Sequence, residues 1–223
     1  MELDLIDPEE FVATVHPLIE AQNSVALLQL LESRWTCTQI TRLLDDPNHD
    51  VRKVAALALA LVGGECCVPD IARQLKNSDP IVNQMAEHAL WSIWFRSSTL
   101  EANHELCCGS MAMNKKEYEK ATGHFSRALE IDPTFAEAYN QRAIAKYLQE
   151  RYDESLEDCT RAIEWMPYHF GAWSGMGHCY AQQGRFHDAL ECYTKALEIN
   201  PHFGGIGKAV KVLKKKLGCK GEK

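Results

Sequence analysis

The chain lacks the alternating polar–apolar runs that mark half-buried β-strands, so sheet-based folds have no sequence support. Its longest apolar run, Val54–Gly63, is too short to span a bilayer. No Gly-x-Gly-x-x-Gly, Gly-x-x-x-x-Gly-Lys-Ser/Thr, His-Glu-x-x-His or Gly-x-Ser-x-Gly motif occurs, which leaves nucleotide loops, zincins and serine hydrolases unsupported. The nine cysteines include no Cys-x-x-Cys, so the usual zinc spacing is missing. Their odd number argues against a full disulfide framework. Cys66-Cys67 and Cys107-Cys108 are vicinal pairs, and His104 beside Cys107 and Cys108 is a weak metal candidate. The remaining cysteines of the second half, Cys159, Cys179 and Cys192, read with Cys107 as small buried hydrophobes. Cys219, near the C-terminus, is the thiol expected to react first. The opening "MELDLIDPEE" is acidic and has neither a secretory nor a mitochondrial leader pattern, which predicts a cytoplasmic protein. No cofactor or metal is expected.

Positive charge is scarce in the first half. Residues 1–100 hold fourteen acidic and seven basic side chains, whereas residues 101–223 hold seventeen of each. An acidic half is unsuited to duplex nucleic acid. Its charge suits a solvated helical face or a basic partner. Seven of the late bases are lysines at or after Lys208. Ile206, Val210, Leu213 and Leu217 put one apolar face on a basic helix there, which reads as the terminal cap of a repeat array rather than a membrane or nucleic-acid contact.

What the second half does contain is regular. Pro133, Pro167 and Pro201 are separated by 34 residues each time, and each closes a variant of one phrase: "HFSRALEIDP", "DCTRAIEWMP", "CYTKALEINP". Gly109, Ala143 and Gly177 share one register, followed by Tyr118, Tyr152 and Phe186, then Ala121, Ser155 and Ala189. Phe125, Cys159 and Tyr193, and lastly Ala128, Ala162 and Ala196, complete the pattern. Small residues let paired helices approach, and aromatics fill the space beside them. The pattern resembles the tetratricopeptide repeat. The resemblance implies an all-α, right-handed superhelical solenoid of antiparallel helix pairs, with repeats over 102–135, 136–169 and 170–203 and a capping helix and lysine-rich tail over 205–223. Glu105 departs from it, standing where Tyr139 and Trp173 stand in the other copies, and so does Ala112, opposite Tyr180.

A weaker repeat precedes it. At an offset of 31, Leu44 matches Leu75, Val51 matches Val82, Ala55 matches Ala86, Ala58 matches Ala89 and Leu59 matches Leu90. "LLDDPNHDVRKVAALALALVG" resembles the short HEAT-like repeats of bilin lyases, implying HEAT-like helix pairs over 1–98. Asn83 in place of Arg52 makes the second copy degenerate. Trp91, Trp94 and Phe95 read as packed core at the end of this half, and with no flexible linker a continuous solenoid is expected.

The resemblance implies function more than the composition does. Arrays of this family bind extended peptides in a concave groove lined by the first helix of each repeat. The groove candidates are Asn114, Asn140, Ile144, Tyr147, Leu148, His178, Gln182 and Lys208, within a wider face that takes in Asn103, Leu106, Ser110, Met113, Glu137, Gly171, Ser174 and Ala181. Asn140 is the best single candidate, since an amide both donates to and accepts from a peptide backbone. Tyr147 and Leu148 suit an apolar anchor, and His178 and Lys208 suit an acidic ligand. The positions that clamp a chaperone's C-terminal carboxylate carry Leu106, Ser110, Gln141, Gly171 and Gly175, so binding of chaperone tails is not expected. The expected function is a non-enzymatic adaptor for a protein or peptide, with no nucleic-acid or membrane partner. The alternatives are a bilin-lyase-like enzyme or subunit and a self-assembling module, the latter giving a homo-oligomer.

Overall fold

The computed structural model describes residues 5–218, which form thirteen α-helices and no strand. Residues 219–223, with Cys219, Lys220 and Lys223, lie outside the described residues. No described helix is long and apolar enough to cross a membrane. The chain divides into two compact units, the first ending at Trp94 and the second beginning at Phe95.

The N-terminal unit holds α1 (Pro8–Glu20), α2 (Ser24–Arg34), α3 (Cys37–Arg42), α4 (His49–Val62), α5 (Val68–Gln74) and α6 (Pro80–Trp94). Helix α1 starts where the sequence supplies a cap: the Asp7 carboxylate accepts from the Glu9 and Glu10 amides at 2.9 and 3.2 Å, and Pro8 takes the first turn. Asp79 does the same for α6, accepting from the Ile81 amide at 2.8 Å, and this bond holds its carboxyl below the usual carboxylate range. All ten residues paired at the 31-residue offset are buried. They place α4 and α6 side by side over one core. Arg52 donates to the carbonyls of Asp46 and Pro47 at 2.7 and 3.0 Å, pinning the loop before α4 to its first turn. Trp94 is fully buried and meets Trp91 edge to face at 5.1 Å. Phe95 departs from expectation: it is 39% exposed.

The C-terminal unit alternates first helices α7 (Leu100–Asn114), α9 (Ala136–Leu148) and α11 (Phe170–Gln182) with second helices α8 (Tyr118–Ile131), α10 (Tyr152–Trp165) and α12 (Phe186–Ile199). Helix α13 (Ile206–Lys216) follows and packs Ile206 and Leu213 against Ala189 and Tyr193 of α12. Each second helix begins at the aromatic Tyr118, Tyr152 or Phe186 and ends two residues before its proline, which has no amide to donate. Each first helix ends the same way. Amides of Glu117, Arg151 and Arg185 reach back to the carbonyls of Ala112, Lys146 and Tyr180 at 3.0, 3.0 and 2.9 Å. The residue before each amide is left-handed: Lys116 and Glu150 at φ 61°, Gly184 at 74°.

Candidate functional site

The first helices of the second and third repeats enclose a pocket of about 240 Å³, lined by Asn140, Ile144, Tyr147 and Leu148 of α9, Ser155 and Cys159 of α10, and Gly175 and His178 of α11. Its origin lies in one register position. In the first repeat the Phe125 ring packs so closely on Gly109 that a Cβ there would sit 2.3 Å from it. In the third, Tyr193 packs on Gly177 with 2.5 Å to the same virtual atom. In the second repeat the aromatic is replaced by Cys159 and the glycine by Ala143, and both line the pocket. A thiol fills far less volume than a ring, so this cavity is the space an aromatic would occupy. Gly175 keeps it open from the far side, since a Cβ there would stand 3.1 Å from the Cys159 sulfur.

Five of the eight sequence candidates therefore meet in one place: Asn140, Ile144, Tyr147, Leu148 and His178. Gln182 joins through Tyr147, donating its amide to the phenol oxygen at 3.0 Å. Asn114 and Lys208 are exposed but do not line the pocket. Ile144 and Leu148 present exposed apolar edges at 38% and 46%. Asn140 differs from the solvated clamp expected of it. It is 2% exposed, with Nδ2 3.4 Å from both carboxylate oxygens of Glu137. Leu106, Glu137 and Ser174 of the wider face are likewise buried.

Burial of Glu137 has a clear partner. His169 caps α11, its Nδ1 accepting from the Ala172 amide at 3.1 Å. The proton must then sit on Nε2, which donates to Glu137 at 2.7 Å. Gln141 adds a third donor at 2.6 Å, so the carboxylate is buried with its acceptors used. A second frame ties α9 to α10. Arg142 forks onto Asp158 through two bonds at 2.9 and 2.7 Å, and Lys146 meets the same carboxylate at 2.8 Å. These networks hold α9 and α11 in register while the pocket between them stays apolar.

His178 lines the pocket with Tyr193 behind it, phenol oxygen 2.8 Å from Nδ1. Desolvation among these rings lowers the His178 pKa and raises that of Tyr193 to about 12. The phenol keeps its proton and shares one hydrogen bond with the imidazole. Desolvation therefore disfavours a positive charge on His178 at this wall.

One departure in the first repeat also resolves. Glu105, standing at an apolar position, accepts from His124 at 2.8 Å and Arg127 at 2.9 Å. The His124 bond leads in holding its carboxyl below the usual range. Cys107 is exposed rather than buried, while Cys159, Cys179 and Cys192 are buried as expected. Burial pushes the Cys159 thiol well up and Cys192 to about 11, which leaves both unreactive. His104 and Cys108 approach to 3.6 Å, and among the described residues no group of three ligating side chains is placed to hold a metal.

Comparison with known proteins settles the architecture of this unit. The tetratricopeptide repeat family matches residues 171–203 through one model and 124–157 through a second. The C-terminal unit is a tetratricopeptide-repeat array. The solved Sgt2 tetratricopeptide domain from Aspergillus fumigatus is similar at 27% identity and a TM-score of 0.51, covering 54% of this chain and 81% of that one. The first such domain of Spaghetti (RPAP3), solved bound to the HSP90 peptide SRMEEVD, shares the fold at 17% identity and a TM-score of 0.53, over 54% of this chain and 96% of that one. A Dictyostelium discoideum STIP1 homolog is 36% identical over 59 residues, which is 26% of this chain and 10% of the relative's own length. This chain spans about a tenth of that relative's length.

Proposed function

We propose that the chain is a non-enzymatic adaptor whose tetratricopeptide array holds a peptide segment of a protein partner across α9 and α11, with an apolar side chain seated in the Cys159 pocket. The observation that carries this reading is the pocket itself, open at the one register position where the flanking repeats are filled by rings. Ile144, Tyr147 and Leu148 supply apolar walls, and Asn140 keeps its side-chain oxygen for a peptide amide while its nitrogen stays with Glu137. Gln182, Asn114 and Lys208 extend the surface along the array. Support of a general kind comes from the neighbour of the same fold that holds a peptide.

That neighbour bears on one earlier expectation. The exclusion of chaperone tails, drawn from Leu106, Ser110, Gln141, Gly171 and Gly175, gains no support from a comparison in which the bound peptide is an HSP90 tail. An acidic tail peptide therefore belongs among the ligands tested. The N-terminal unit fits a reading as two HEAT-like helix pairs, α3 with α4 and α5 with α6, which is supported by the burial of all ten offset-matched residues.

The test restores the ring that the second repeat omits. Cys159→Phe combined with Ala143→Gly copies the Phe125–Gly109 pair and closes the pocket from within. Capture from native lysate with parent and variant, followed by titration of the captured partner, should show at least about tenfold weaker binding, the size of a truncated interface anchor. Equal binding by a variant of unchanged helicity would remove the pocket from the function.

A further inference from the structure

Helix α13 turns two different faces to its surroundings. Ile206, Ala209, Val210 and Leu213 lie in one apolar cluster with Ala189, Tyr193 and Leu197 of α12. At about 100° per residue, Lys208, Lys211, Val212 and Lys215 fall on the opposite side of the helix. All four are exposed, Val212 to 65%. The apolar stripe is thus covered by the protein itself, and a bilayer could take it only by pulling α13 off α12.

Helix stability does not account for the lysines of the outer face. Helix α13 holds five lysines and no acidic residue. Lys214, Lys215 and Lys216 sit in the last turn, where a cation complements the helix dipole. Lys208 sits in the first turn, where the dipole opposes it, and the N-cap there, Gly205, supplies no side-chain bond. Lys211 is three residues from Lys208 and Lys214 and four from Lys215, so each of these pairs repels. Lysines of other helices have counter-charges: Lys53, Lys120, Lys146 and Lys195 meet carboxylates at 2.8–3.3 Å. Among the described residues, none of Lys208, Lys211, Lys214 and Lys215 is paired in this way.

An anionic ligand relieves that repulsion. From Lys208 to Lys215 the helix rises about 10 Å at ~1.5 Å per residue, which is too long for one phosphate and suits several carboxylates in a row. Nucleic acid fits less well. No aromatic side chain of α13 stands on this face to stack a base, and the chain as a whole carries a formal charge of -7. Val212, uncharged among the lysines, offers a contact to an apolar side chain. We propose that the outer face of α13 docks an acidic segment of a protein partner, with carboxylates on Lys208, Lys211 and Lys215 and an apolar side chain against Val212. No residue of α13 lines the Cys159 pocket, so this surface does not depend on it.

The full chain is titrated, by fluorescence anisotropy, with a labelled peptide of glutamates interrupted by leucines and with the same peptide carrying glutamines for the glutamates. The acidic peptide should bind at least about tenfold more tightly and weaken as salt is added. Lys208→Gln, Lys211→Gln and Lys215→Gln together should weaken it at least about tenfold. The same change should leave the melting temperature equal or higher, because glutamine keeps lysine's helix propensity without the repulsion. Lys76→Gln, Lys115→Gln and Lys120→Gln together remove the same charge from exposed positions elsewhere and should leave binding near that of the parent. Equal binding of the glutamine peptide, equal loss in the control variant, undiminished binding by Val212→Gln, or a melting temperature lowered by the triple change in α13 would overturn the proposal. So would tighter binding of phosphatidylserine vesicles or single-stranded DNA through the same three lysines, which would assign the face to a lipid surface or to nucleic acid.

Discussion

At the residue scale, the repeats are decided by pairs rather than by single side chains. Gly109 exists for Phe125 and Gly177 for Tyr193, because no Cβ fits beneath either ring. Gly109→Ala therefore sets a gain in helix propensity of about 1 kcal/mol against overpacking that costs about 1–3 kcal/mol. The three nearest ring atoms at 2.3–2.8 Å decide for the cost. Thermal melting should show a lower transition, and an unchanged or raised one would mean that the Phe125 ring moves aside freely. Gly175 offers the contrast: it faces a single sulfur at 3.1 Å, and its role is space rather than close packing.

His178 gives a second prediction at this scale. Its folded pKa lies below its ordinary value because its surroundings desolvate the charged ring. Between the folded and unfolded values the unfolded chain binds more protons, so the stability due to His178 rises with pH through that window and levels off above about 6.5. His178→Phe should flatten part of the rise measured by denaturant unfolding between about pH 5 and pH 7. A slope identical in parent and variant would place the titration elsewhere.

At the scale of elements, the turn after each first helix is the most repeated device in the array. Three left-handed residues stand 34 apart, but only Gly184 is a glycine. Lys116 and Glu150 hold a conformation that costs an ordinary L-residue roughly 1–2 kcal/mol. Glu150→Gly relieves that strain and gives back part of it as unfolded-state entropy, about 0.4–1 kcal/mol. A net gain of up to about 1 kcal/mol should raise the melting temperature by roughly 2–4 °C. A fall would show that Glu150 makes a contact worth more than its strain.

These elements also show what was legible in the sequence. The proline interval and the small–aromatic register located the helices of the array, because both are local consequences of chain geometry. The capping signal at Asp7 was equally local, and its carboxylate accepts the Glu9 and Glu10 amides. Asn140 was misjudged because its burial depends on Glu137, whose charge is satisfied by His169, 32 residues further along. Glu105 looked like a defect until His124 and Arg127 were brought to it by the helix pairing. The pocket was half visible: Cys159 in the register of Phe125 and Tyr193 signals missing volume. A reading that searches for chemical groups passes over a space. The exposed Phe95 and Cys107 show the opposite error, in which residue type was taken for burial.

At the scale of the molecule, the two units differ in how they can engage partners. The N-terminal unit is acidic and carries an open apolar groove; the C-terminal unit is balanced in charge and carries a smaller, more shaped pocket. The central claim is that a partner's side chain enters the Cys159 pocket of the array. The most direct measurement places a photoreactive benzoylphenylalanine at Leu148, on the pocket wall, and in a separate protein at Thr160, exposed on α10 and outside the pocket, then irradiates each in complex with the captured partner. The account predicts a crosslink from Leu148 to one short apolar segment of the partner and none from Thr160. Crosslinks from Thr160, or none from Leu148 while the complex forms, would contradict it.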